Sequence, residues 1–205
     1  GYTFIEWNYD FSQPITQNTM IKATWSANTN TPYKVEYYKE NLEDDKYTLC
    51  ETSDLQGVSG AIISAEQKIY EYFTFDESKS VSSSAIAGDG SLVLKMYYKR
   101  NSYTISNADS AYGEITNATT KKFGSSIKGL ATEYLGCEFV GWFNGDTLLS
   151  SANRYDFMIE CDVYARFKAK EEMSVFTFKA SITTCEITAL KDETITSVVF
   201  PDYVT

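Results

Sequence analysis

The sequence predicts a mainly-β or α+β chain, built as serial small β-grasp-like modules. Three observations predict it. Apolar and polar residues alternate with period two in one stretch after another, the signature of half-buried strands. A glycine-led motif and an aromatic-ended strand occur twice, in the same order. Only three prolines occur in 205 residues, so the connections are short rather than long Pro-rich stalks.

The repeat comes first, because internal similarity constrains the whole architecture. Gly1-Tyr-Thr-Phe4-Ile-Glu-Trp7 matches Gly136-Cys-Glu-Phe139-Val-Gly-Trp142, and Met20-Ile-Lys-Ala-Thr-Trp25 matches Asp162-Val-Tyr-Ala-Arg-Phe167. Ile21, Ala23 and Trp25 alternate with polar neighbours, as do Val163, Ala165 and Phe167. Phe4 and Trp7 are three residues apart, like Phe139 and Trp142, and cannot share one face of a regular strand. Either the strand ends near the phenylalanine or a bulge intervenes, for which Gly141 is suited. The favoured role for both tryptophans is a core plug, Trp142 against Val163, Ala165 and Phe167, and Trp7 against the strand from Ile21 to Trp25. The competing role is a ligand platform at Trp142.

Between the copies lies a different unit. Tyr33-Lys-Val-Glu-Tyr-Tyr-Lys39 and Tyr47-Thr-Leu-Cys-Glu-Thr52 alternate, and the acidic stretch Glu40-Asn-Leu-Glu-Asp-Asp45 between them reads as a hairpin connection. Ser64-Ala-Glu-Gln67 has capping-box form and opens either a short helix or a strand. Gly88-Asp-Gly90 marks a turn before a closing strand, Ser91 to Lys99, with Leu92, Leu94, Met96 and Tyr98 on one side. This order suggests a compact β-grasp-like module near the lower size limit for independent folding. Beyond Glu171-Glu172 the pattern changes, with short apolar runs at Val175-Phe-Thr-Phe178 and Ile187-Thr-Ala-Leu190.

These residues carry a resemblance. Gly136-x-x-Phe139-x-Gly141-Trp142 with the closing Val163-Tyr-Ala-Arg-Phe167 resembles the divergent internalin-type B-repeat of bacterial surface proteins. Residues 1–28 resemble the C-terminal half of a Listeria–Bacteroides repeat, although Glu6 stands where that pattern has glycine and the opening strands are lacking; in the second copy Cys137 replaces an aromatic. Residues 32–101 are similar to a mucin-binding-protein-like module, residues 102–169 to the divergent B-repeat. The segment 172–205, through Thr194-Ile-Thr-Ser-Val-Val-Phe-Pro201, resembles the start of a bacterial surface leucine-rich repeat, with a plain β-rich segment as the alternative. The resemblance implies β-grasp-type folds, a secreted or cell-surface location in a bacterium, and no catalytic residue. The abrupt start at Gly1 reads as an excised fragment whose export signal lay upstream.

Composition narrows the function classes. Lys and Arg number 18 against 28 Asp and Glu, a formal charge of −10. Such a chain gains little from counterion release on nucleic acid and is repelled by anionic membranes. No apolar run approaches the roughly 20 residues of a membrane helix, so no direct membrane insertion is expected. Histidine is absent, which removes the common Ser-His-Asp and Cys-His catalytic arrangements and argues against Cys/His zinc sites. Cys50, Cys137, Cys161 and Cys185 form no C-x-x-C pair and read as small buried hydrophobes, with a Cys137–Cys161 disulfide left open. Glu40, Glu43, Asp44 and Asp45 offer paired carboxylates for a glycosidase or a calcium site, but a solvated acidic turn accounts for them better. No cofactor is expected.

The adjacent pairs Tyr37/Tyr38 and Tyr97/Tyr98 each place one ring outward from a strand. If the module's first and last strands are neighbours, the outward rings form a ladder that stabilises the sheet or receives a sugar or partner strand. Tyr38, Tyr97 and Trp142 are therefore the candidate ligand surface. The expected function is a non-catalytic adhesion or scaffold fragment whose partner is a host or neighbouring-cell surface protein or glycan. The alternative is a carbohydrate-binding accessory module of a surface polysaccharide-degrading system.

Overall fold

The computed structural model describes residues 1–192, 194, 195 and 197, and the chain forms two compact units, 1–100 and 101–205. The architecture is mainly β: strands are the dominant element among the described residues, and the helical content there is one 3-10 turn, Glu171–Met173.

The first unit opens with a hairpin of β1 (Tyr2–Trp7) and β2 (Ala23–Ala27). It joins the rest of the unit through Asn28, whose N–H donates to the Gly1 carbonyl and whose carbonyl accepts from Ser59. The main sheet has the order β4 (Tyr47–Gly57), β3 (Thr31–Glu40), β8 (Val93–Arg100), β6 (Phe73–Phe75). Its first and last strands, β3 and β8, lie side by side and parallel, Val35 opposite Leu94 and Tyr37 opposite Met96. Val35, Tyr37, Leu94, Met96 and Tyr98 turn to one face and form the core, capped by Ile63, Ala65 and Tyr70.

No helix opens at Ser64. Ile62–Ser64 is strand β5, paired with β7 (Ser83–Ala85), and the following segment runs across the sheet. The Ala65 amide donates to the Ser82 carbonyl, and the Lys68 amide to the Tyr98 hydroxyl. The capping-box signal is local and weak, and long-range pairing with burial of Tyr70 overrides it.

The second unit repeats the central idea. β9 (Ser102–Asn107) and β16 (Val163–Ala169), the first and last strands of its main module, pair in parallel. Around them a five-stranded sheet runs β11 (Thr119–Lys122), β9, β16, β13 (Cys137–Asn144), β14 (Thr147–Ser150). A second sheet of β10 (Gly113–Thr116), β12 (Ser126–Glu133) and β15 (Arg154–Met158) supplies the other side. The core between them contains Ile105, Ile127, Ala131, Trp142, Ile159, Val163, Ala165 and Phe167. A further hairpin, β17 (Phe176–Ala180) with β18 (Cys185–Leu190), buries Met173, Phe176 and Cys185 against Leu135 and Ala169. The expected leucine-rich start at 194–201 falls mostly outside the described residues.

The repeated motif is a repeated register. Phe139 pairs with Phe167 and Trp142 with Ala165, with a bulge between Phe139 and Gly141. In the first unit Phe4 pairs with Trp25 and Trp7 with Ala23, with a bulge between Phe4 and Glu6. The extra bulge residue turns the tryptophan to the same face as the phenylalanine three positions earlier. Gly141 has φ +152, and a Cβ there would stand 2.8 Å from the Ser150 carbonyl oxygen, so this copy of the bulge needs glycine. In the other copy Glu6 holds the position without a positive φ.

Candidate functional site

Because β3 and β8 are parallel and in register, Tyr38 stands beside Tyr97 while Tyr37 and Tyr98 point into the core. The Tyr38 and Tyr97 rings stack with centroids 4.9 Å apart and planes inclined by 20°. Tyr47, at the start of β4, meets Tyr97 edge-on at 5.1 Å. With Asp45, Lys46 and Lys79 these three rings line a shallow cleft of about 450 Å3. The Lys79 ammonium lies 4.4 Å over the Tyr47 ring, and the Lys95 ammonium 5.9 Å from the Tyr38 ring. The Tyr38 hydroxyl donates to a Glu36 carboxylate oxygen at 2.6 Å. That hydrogen bond, with burial and the Glu36 charge, pushes the Tyr38 phenol up to about 12. Tyr38 therefore stays a neutral donor at ordinary pH.

Asp76 holds this surface from behind. Its side chain is 3% exposed and lies 3.1 Å from the Lys99 ammonium. It accepts hydrogen bonds from the Ser78 hydroxyl at 2.6 Å and the Tyr47 hydroxyl at 3.3 Å. Burial pushes the carboxyl up, but the hydrogen bonds from Ser78, Lys99 and Tyr47 and the charge of Lys99 outweigh it and hold it below the usual carboxylate range. Sequence reading missed Tyr47, Asp76 and Lys79. The signal was there, since Asp76-Glu-Ser78-Lys-Ser80 is a run of turn-forming side chains. The Asp76 carbonyl accepts from both the Ser80 amide and its hydroxyl, and the Ser80 hydroxyl oxygen accepts from the Tyr97 amide.

Such a cleft suits a ligand with an apolar face and polar edges: rings for stacking, a carboxylate and cations at the rim. No protein-family model, curated protein or solved structure matches the chain.

The remaining predicted site residues sit elsewhere. Trp142 is 0% exposed, with its indole N–H donating to the Ala152 carbonyl at 3.1 Å. It packs with Val163, Ala165 and Phe167, which corrects the ligand-platform reading: in this fold the ring has no open face. Its counterpart Trp7 departs from the core-plug expectation in the opposite direction, being 48% exposed.

The acidic stretch divides. Glu40 ends β3 and is buried, its carboxylate accepting from the Arg100 amide at 2.9 Å and its carbonyl from the Arg100 guanidinium at 2.8 Å. Asp44 organises the connection by accepting from Asn41 and from the Lys46 amide. Glu43, Asp44 and Asp45 are exposed.

All four cysteines are free thiols, so Cys137 and Cys161 are unpaired with each other. Cys50 is exposed rather than buried, as is most of β4, the edge strand on which it lies. Among the described residues no group of three or more His, Cys, Asp or Glu is arranged to hold a metal ion, and no helix is long and apolar enough to cross a membrane.

Proposed function

We propose that the chain is a non-catalytic adhesion or scaffold fragment, displayed outside the cell, whose small β modules act as spacer and binding surface. The observation that carries this reading is the Tyr38–Tyr97 stack, extended by Tyr47 and rimmed by Lys79 and Asp45. It presents aromatic faces on the side of the sheet away from the core, where a purely structural tyrosine gains least. Serial modules with a common strand arrangement suit a role in which reach and presentation matter more than a single deep pocket. The partner is a surface protein or glycan.

The same surface favours one second reading, a carbohydrate-binding accessory module, because flat stacked rings complement the apolar face of a pyranose. A glycan and host-protein array probed with the intact chain tests both. Saturable binding that is lost in Tyr38→Ala and Tyr97→Ala supports the surface, and the class of ligand captured decides between the readings. Equal signals from the parent chain and both variants would refute the assignment to this cleft.

A further inference from the structure

The first unit exposes an aromatic face whose counterpart in the second unit is the centre of a core. In the second unit Phe139 lies 5.7 Å from Trp142 and 5.2 Å from Phe167, Trp142 lies 6.2 Å from Phe157, and Tyr155 lies 5.1 Å from Phe157. In the first unit Phe4 lies 5.5 Å from Trp7 and 5.4 Å from Trp25, Trp7 lies 6.0 Å from Phe11, and Tyr9 lies 5.3 Å from Phe11. The ring separations agree closely, although Tyr9 meets Phe11 edge-on where Tyr155 stacks on Phe157, and Tyr9-Asp-Phe11 repeats Tyr155-Asp-Phe157. The match extends in sequence and ring spacing to the connection between the strands, which forms turns in the first copy and strand β15 in the second.

The two copies differ in what lies on top. Over the second, β12 runs antiparallel to β15, with Ile127 opposite Phe157 and Gly129 opposite Tyr155. Ile127 and Ala131 enter the core beside Trp142. Gly129 leaves room for the indole, since a Cβ there would lie 2.9 Å from the ring. Among the described residues no strand covers the first copy: Phe4 is 41%, Trp7 48%, Trp25 57% and Phe11 62% exposed. A contiguous apolar face of this kind on a folded unit marks a binding surface.

The geometry points to a docking site for a β-strand of another polypeptide segment on the β1–β2 hairpin. That strand has the chemistry of β12: an apolar residue, a glycine and a small residue at alternate positions, the glycine over Trp7. It would lie across the exposed rings of Phe4, Trp7, Phe11 and Trp25, as β12 lies over Trp142 and Phe157, its side chains interdigitating with them. The inference goes beyond the Tyr38–Tyr97 surface and does not depend on it.

The test is a titration of the intact chain with a synthetic peptide of residues 112–134, which spans β10 to β12 and contains no tryptophan. Trp7 and Trp25 emission should shift to the blue and lose acrylamide quenching as the peptide saturates. A Gly129→Leu peptide should bind about tenfold more weakly or worse, because overpacking sets it against the indole. The chain variant Trp7→Ala, altered at an exposed position, should lose the response. Unchanged quenching at saturating peptide, or equal binding by the Trp7→Ala chain, would overturn the proposal. So would shielding of both indoles by self-association of the unmodified chain in sedimentation, or by an oligosaccharide where the peptide has no effect. Joining a copy of residues 101–135 ahead of Gly1 provides a second measurement independent of peptide solubility: protection of Trp7 and Trp25 in this fusion supports the site, and full quenching counts against it.

Discussion

Trp142 and Gly129 face each other across the core of the second unit with no space for a methyl group between them. The large ring fits because its neighbour has no side chain, and each residue limits the other. Trp142→Ala removes a fully buried ring and should cost about 3–5 kcal/mol, enough to unfold so small a unit. Gly129→Ala errs in the opposite sense, by overpacking, and should cost about 1–3 kcal/mol. Thermal melting of both variants checks the pair, and an unchanged transition in Trp142→Ala would rule out its structural role.

Replacing Glu43, Asp44 and Asp45 together by Gln, Asn and Asn should alter stability by no more than about 0.5 kcal/mol. These side chains are exposed, and Asn at position 44 retains a carbonyl oxygen able to accept from Asn41 and the Lys46 amide. Urea midpoints of parent and triple variant provide the comparison. A loss of several kcal/mol would reveal a site where a loop was expected.

Asp76 should make stability fall in acid. Its folded pKa lies below the ordinary value. The carboxylate's contribution is therefore complete above the unfolded value near 4, and it disappears as pH falls through the lower folded value. Asp76→Asn should destabilise the first unit by about 1–3 kcal/mol at neutral pH and flatten that acid limb. A denaturation series from pH 7 down to pH 2 on both proteins measures the difference.

Thiol reactivity should separate by position. Cys50 is exposed and should alkylate first in the native protein. Cys137 is buried, and burial, with the neighbouring Cys185 charge, pushes its thiol up to about 11, so it should react only on unfolding. Mass spectrometry after a timed pulse of iodoacetamide at pH 8 resolves the order.

Much of this architecture was legible because strands announce themselves by period two. The doubling of Phe-x-x-Trp revealed both hairpins, and the doubled tyrosines revealed which rings must turn outward. Burial was harder to read. Trp7 and Trp142 sit in the same local motif and the same register, yet one is open and the other enclosed, because β12 and β10 cover only the second. That difference lies in distant strands, beyond any local pattern. Glu40 was grouped with a solvated loop for a similar reason, since its partner Arg100 is 60 residues away. At Ser64 a helix-start signal was present but lost to strand pairing.

The parallel placement of first and last strands has a mechanical consequence. Tension applied at the start of β3 and the end of β8 pulls two adjacent parallel strands in opposite directions along their length. Their hydrogen bonds are then loaded together, in shear, instead of opening one after another like a zipper. Six residue pairs join β3 to β8, Lys34–Val93 through Lys39–Tyr98, whereas three join β9 to β16. Under a steady pull along the chain the module of the first unit should hold longest, and the β9–β16 clamp should be the first of the two to slip.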